Sequence, residues 1–299
     1  LQLRKSKHAQ ARIHLFLSGK GAFRFPGASG DDRRVVSVAI SGSGKRARAI
    51  AALLRKSGLS ISTDGSAVAE ADLIIDTGDD RKTALSIRRL ASLAKSNAII
   101  ATTRSRDMDR LANSRRGSAD IVGLNFRLSR RRSLVEVTPT AATKPAAVNA
   151  VLALLRKTGA QAVVSRQSGL VGERIIAACR AAADDLRRRG VSQKDVKTAL
   201  FSCGMSRSRE VTVSSGKSID PALRHWLLGE MAREAVTLLS EGIVRQSSDI
   251  DLILVHGYGF PDEDGGPIWA AEHILRTSFG VAGGEEEASM ASAEIGPTG

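Results

Sequence analysis

Cysteine and aromatic residues are scarce in this chain. Its two cysteines, Cys179 and Cys203, stand far apart in 299 residues, which excludes a disulfide scaffold or a paired-cysteine zinc cluster and fits a reducing compartment. Aromatic side chains make up 3% of the residues, so a core has to be built mainly from Ala, Leu, Ile and Val. No run of about 18 apolar residues occurs, so nothing reads as a membrane span. The chain begins at Leu1 rather than Met, with no apolar signal segment behind it. It therefore reads as a fragment or processed piece, and its setting as intracellular. The histidines are scattered: His8 and His14 near the start, His225 and His273 in helical patterns, and His256 before a glycine turn. Each reads as structural or exposed, and no metal site is expected.

What is present is a long, basic, moderately apolar chain. Hydrophobic residues account for 42%, and the length suffices for two domains with a sizeable core. The formal charge of +14 favours polyanions: nucleic acid, anionic lipid or a phosphorylated cofactor such as coenzyme A. The arginines are densest at Arg130 to Arg132 and Arg187 to Arg189, with no aromatic residues interleaved. Stacking on bases is therefore unsupported, a solvated basic surface is the simpler reading, and a nucleic-acid module ranks last.

The organising stretch runs from Val35 to Ala47, Val-Val-Ser-Val-Ala-Ile-Ser-Gly-Ser-Gly-Lys-Arg-Ala. A β-branched run leads into a Gly-x-Gly turn and then an alanine- and leucine-rich helical pattern, the opening of a dinucleotide-binding βαβ unit. Gly42 permits the sharp turn, Gly44 has no Cβ to hold a pyrophosphate away, and Ala47 takes the position where helix and strand pack closely. Amides at the helix start face the phosphates. Asp64, after the next strand, stands where a carboxylate accepts ribose hydroxyls. An ATPase-type phosphate loop fails at both ends, because Ala39 and Arg46 occupy its glycine and hydroxyl positions.

Strand and helix patterns then alternate. Strands are predicted at 35–40, 59–63, 71–76, 97–102, 120–124, 133–138 and 162–165. Helices are predicted at 46–57, 80–95, 107–115 and 144–159. This is the signature of a Rossmann-type, doubly wound parallel sheet. From Gly169 the pattern turns helical, over 171–189, 191–201 and 221–242, the last opened by Asp220 and Pro221. Residues 1–30 read as a basic amphipathic linker helix leaving at Phe25-Pro26-Gly27, and 206–218 as a loop. Residues 31–168 read as the nucleotide-binding domain, 169–280 as a helical domain, and 281–299, rich in Gly, Glu, Ala and Ser, as a disordered tail.

Three stretches in this order carry a family resemblance. They are Val35 to Ala47; Gly169-Leu-Val-Gly-Glu-Arg-Ile-Ile176; and Glu241-Gly-Ile243 followed by Asp249-Ile-Asp251 and Gly257-Tyr-Gly-Phe-Pro261 with Gly265-Gly-Pro267. Together they resemble 3-hydroxyacyl-CoA dehydrogenase, in particular the dehydrogenase half of multifunctional fatty-acid β-oxidation enzymes. Ala9-Gln-Ala-Arg-Ile-His-Leu-Phe-Leu17 resembles the helix that links the enoyl-CoA hydratase half to it. The resemblance implies NAD bound at Gly42, Gly44, Ala47 and Asp64, an acyl-CoA substrate, and an enoyl-CoA hydratase domain or subunit as partner. It implies a cytoplasmic or peroxisomal setting and allows a homodimer.

In that family a His-Glu dyad takes the proton of the substrate hydroxyl while hydride passes to the nicotinamide. The family's Gly-Leu-His-Phe is here Gly123-Leu124-Asn125-Phe126, so the base position holds an amide, while Leu134-Val135-Glu136-Val137 keeps the orienting carboxylate as Glu136. Ser105 matches the substrate-contacting serine. Glu173 stands in place of a substrate-contacting asparagine, its charge opposing a thioester carbonyl. Six residues separate Asp64 from Ala71, where the family inserts a helical arm against coenzyme A. Two readings follow: an impaired dehydrogenase domain, or an inactive scaffold packed on the hydratase.

Overall fold

The computed structural model describes residues 6–21, 33–78, 83–103, 108, 111, 120–129, 132–167, 170–205 and 220–278. The helix expected at 107–115, the loop at 206–218 and the tail at 281–299 fall wholly or mostly outside these residues.

Most of the strands follow from short apolar, largely β-branched runs that are buried nearly throughout: β1 (Ser37–Ser41), β2 (Ser60–Ser62), β3 (Leu73–Asp76), β4 (Ile99–Thr102), β5 (Asp120–Leu128), β6 (Ser133–Pro139) and β7 (Gln161–Val164). They form one sheet in the order β2-β1-β3-β4-β5-β6-β7. Alternate side chains serve opposite faces. Val38, Ile40, Leu73, Ile75, Ile99 and Ala101 pack with α2 (Lys45–Leu54) and α4 (Pro145–Lys157), whereas Ala39, Ile74 and Ile100 pack with Ile87 and Leu90 of α3 (Thr83–Leu93). Burial on both faces is what a doubly wound sheet requires.

The sheet departs from the expected all-parallel arrangement at one pair. Strand β5 runs on to Leu128 and pairs antiparallel with β6, because the four residues between them allow a hairpin and no crossover. That hairpin places Asn125 opposite Glu136 in register.

The helical half comprises α5 (Leu170–Arg188), α6 (Gln193–Ser202), α7 (Pro221–Ser240), α8 (Ser247–Ile253) and α9 (Pro267–Ser278). Val171, Ile175, Leu227, Met231, Ile250 and Phe260 build its core, which meets the sheet through Leu134 and Val163. Between α8 and α9 the glycine-proline stretch forms a π-helical turn, Leu254–Tyr258, and a short 3-10 turn, Asp262–Asp264. A 3-10 turn, Gly65–Glu70, makes the short link between β2 and β3.

Helix α1 (Lys7–Gly21) lies on the helical half: His14 Nε2 meets Asp251 Oδ2 at 3.1 Å, and His8 Nδ1 meets the Glu263 carbonyl at 2.9 Å. The amphipathic reading of this helix is corrected. Ala11 and Leu15 are buried, yet Ile13, Phe16 and Leu17 are 46%, 61% and 60% exposed, so apolar residues lie on both sides of it.

Candidate active site

In chain order the sheet grows from β1 to β2 on one side and returns to β3 on the other, so the strand order reverses between β1 and β3. That reversal opens a crevice at their carboxyl ends, where Ser41 and Asp76 are in register. Doubly wound sheets bind ligands in this crevice. Gly42, at φ +112°, makes the turn out of β1, and a Cβ there would lie 2.4 Å from Thr77 Oγ1. Gly44, at φ +100°, caps α2, and a Cβ on it would meet nothing within 4 Å. The first-turn amides of α2 thus open onto unfilled space beside a backbone that carries no side chain. Ala47 is buried in the core under the turn. This corner fits the diphosphate of a dinucleotide, whose charge the helix terminus favours.

Asp64 follows β2 and caps the 3-10 turn, accepting from Ser66 N at 3.3 Å and Ser66 Oγ at 2.7 Å. Its carboxylate stays exposed, and the hydrogen bonds from Ser66 hold its pKa below the ordinary value. Two further residues stand at the crevice. Arg46 Nη2 donates to the Thr103 carbonyl at 3.2 Å, tying α2 to the end of β4. The buried Asp76 has its pKa raised by desolvation, against a hydrogen bond from Gly78 N. Its only signal in the sequence is a carboxylate closing an apolar strand.

The second part of the site lies between the β5–β6 hairpin and the helical half. Asn125 Nδ2 donates to Glu136 Oε1 at 3.1 Å, and Glu136 is fully buried. Two residues along β5, and so on the same face, Arg127 sits 4.0 Å above the Tyr258 ring and reaches Glu173 Oε1 at 4.0 Å. The charge of Glu173 is thus partly offset by a cation.

Tyr258 fits because α5 has glycine at 172, where a Cβ would come within 2.0 Å of its ring. Burial raises the Tyr258 pKa, the Glu136 and Glu173 charges add to that, and Arg127 opposes it. The phenol therefore stays protonated and keeps an O–H to donate. Arg127, Glu173, Ile176, Arg180, Met205 and Tyr258 line a cleft of about 600 Å³, the size of a small-molecule site.

Of the residues singled out in the sequence, Glu173 lines this cleft, Asn125 and Glu136 pair with each other on the β5–β6 hairpin, and Gly42, Gly44, Ala47 and Asp64 lie at the turn after β1 and the end of β2; Ser105 lies outside the described residues. Sequence reading missed Arg127 and Tyr258, although Tyr258 stands inside the Gly-Tyr-Gly-Phe-Pro motif and Arg127 is two residues from Asn125.

Residues 42–168 match the family model for the 3-hydroxyacyl-CoA dehydrogenase NAD-binding domain. The fold resembles the dehydrogenase part of multifunctional enzyme 1 from C. elegans, with a TM-score of 0.57 and 16% identity over 85% of this chain and 87% of that one. It also resembles 3-hydroxybutyryl-CoA dehydrogenase from Escherichia coli, with a TM-score of 0.51 and 17% identity. That match covers 75% of this chain and 57% of the other. No curated protein sequence matches the chain significantly.

Proposed function

From residues 42–168, which belong to the 3-hydroxyacyl-CoA dehydrogenase family of NAD-binding domains, we propose that the chain is an NAD-dependent 3-hydroxyacyl-CoA dehydrogenase domain of fatty-acid β-oxidation with an impaired proton-transfer step. When bound, NAD supplies the hydride acceptor for oxidation of a 3-hydroxyacyl thioester to the 3-keto form. Gly42, Gly44 and the start of α2 hold its diphosphate, and Asp64 its ribose.

The observation that carries the impairment is the Asn125 to Glu136 hydrogen bond. A general base must accept the hydroxyl proton near neutral pH. An amide nitrogen has no basic lone pair, so Asn125 orients the substrate hydroxyl without deprotonating it. Glu136 is buried behind the amide, in the position of the carboxylate that would orient a base. Across the cleft, Arg127 and Arg180 offer cations for a coenzyme A phosphate.

A second reading keeps the fold and drops the chemistry: a scaffold domain packed on an enoyl-CoA hydratase partner. It is favoured by Glu173 and by the short 3-10 turn where an arm would hold coenzyme A. A fluorescence titration of NADH with and without acetoacetyl-CoA separates the two. The dehydrogenase reading expects saturable NADH binding that persists in moderate salt and responds to acetoacetyl-CoA. NADH binding without any response to acetoacetyl-CoA favours the scaffold.

A further inference from the structure

A second cavity, of about 620 Å³, lies on the far side of the π-helical turn from the cleft. The turn serves as a wall between them: Val255 and His256 face this cavity, while Gly257 and Tyr258 face the cleft. Its other walls are α1, the end of α4 and the starts of β6 and β7. Gly19 lets α1 lie directly on the sheet edge, since a Cβ there would come 2.8 Å from Gln161 Oε1.

The lining has two characters. Leu15, Phe16 and Val255 supply an apolar floor, and Phe16 remains 61% exposed at its edge. Around it stand Arg12, Lys20, Arg132 and Arg156, with Asp262 the one acid. Asp262 is spent on Arg132, at 2.6 Å, and Arg132 also donates to the Val255 carbonyl at 3.3 Å. Arg12, Lys20 and Arg156 make no ion pair among the described residues. Three cations with no carboxylate partner among the described residues therefore rim an apolar hollow, Lys20 with its ammonium 4.4 Å from the Phe16 ring, and His256 on the wall is kept neutral at pH 7 because burial lowers its pKa to about 4.

An apolar ligand alone would leave those cations without a counter-charge, and a small anion alone would leave Phe16 in water. We propose that this cavity binds an amphiphilic anion, an alkyl chain of roughly eight to twelve carbons ending in one carboxylate, at a site separate from the nucleotide crevice and the cleft. The chain covers Phe16, Leu15 and Val255, and the carboxylate accepts from Arg12 and Arg156 in charge-assisted hydrogen bonds.

Isothermal titration of the whole chain with decanoate, acetate and 1-decanol tests this. Decanoate is expected to bind saturably at one site, and acetate and 1-decanol at least about tenfold more weakly, since each lacks half of the recognition. The double variant Arg12→Glu/Arg156→Glu, at exposed positions, is expected to weaken decanoate by about tenfold or more. Arg180→Ala, in the other cleft, is expected to leave it unchanged. Absence of saturable decanoate binding overturns the proposal. So does affinity that falls with Arg180→Ala but not with the charge reversal, or acetate binding as tightly as decanoate. NADH binding has no part in these readouts, so the site stands or falls apart from the dehydrogenase reading.

Discussion

The side-chain amide of Asn125 and the carboxylate of Glu136 meet at 3.1 Å across the antiparallel β5–β6 pair. The hairpin sets this pairing, because it places the two residues opposite each other whatever their side chains. A histidine at 125 would therefore inherit the same carboxylate. On the proposed dehydrogenase reading, position 125 is where that carboxylate would orient a base.

Gly42→Ala is expected to lose NADH binding and stability together. Its φ of +112° disfavours any side chain, and the new methyl would stand 2.4 Å from Thr77 Oγ1. The combined strain and crowding cost about 1–3 kcal/mol. Urea unfolding followed by circular dichroism, with an NADH titration alongside, checks both effects.

Gly172→Ala acts on the other part of the site. A methyl 2.0 Å from the Tyr258 ring has to push that ring out from under Arg127. Overpacking of this kind costs about 1–3 kcal/mol. Acetoacetyl-CoA affinity should fall while NADH affinity holds, which paired titrations resolve.

The pH dependence of stability carries the signature of His256. Burial first, and then the Arg132 charge, lower its pKa to about 4 from 6.5, with Asp262 opposing. A folded pKa below the unfolded one means that the fold excludes the proton. The contribution is therefore complete above pH 6.5 and is lost as pH falls toward 4, by about 2–3 kcal/mol. Urea midpoints from pH 7.5 to 4 should show this slope in the native chain and a flatter one in His256→Asn.

Asp251 works in the opposite sense. Burial raises its pKa to about 6, against the His14 contact and the amides of Ile268 and Trp269. A carboxyl whose folded pKa is raised contributes most below its unfolded pKa, and that contribution is lost as pH rises through 6. His14→Ala removes the side-chain hydrogen-bond partner of the Asp251 carboxyl and should cost about 1–3 kcal/mol, more at pH 7.5, where the carboxyl left behind is ionised, than at pH 5. Unfolding at the two pH values measures the difference.

The alternation of apolar strands and helices was legible along the chain because most of the strands bury both faces, as Val38 and Ala39 do on opposite sides of β1. The nucleotide turn was legible for the same local reason: Gly42, Gly44 and Ala47 are close neighbours and act through the backbone. The contacts of Arg127 with Tyr258 and Glu173 were not, since they join three elements distant in sequence and obey no period. The antiparallel β5–β6 pair escaped because a short polar link between two apolar runs resembles any other link until its length is compared with a crossover. The cavity beside α1 was equally hidden, its walls coming from segments scattered between Arg12 and Asp262.

The most direct test of the account is the rate of NADH consumption with acetoacetyl-CoA by the native chain and by Asn125→His, both at saturating ligand. Restoring a base beside Glu136 is expected to raise the rate by about 10²–10⁴, the range a positioned general base contributes. Equal rates in the two proteins, with both ligands bound, would contradict the claim that the missing base is what limits this site.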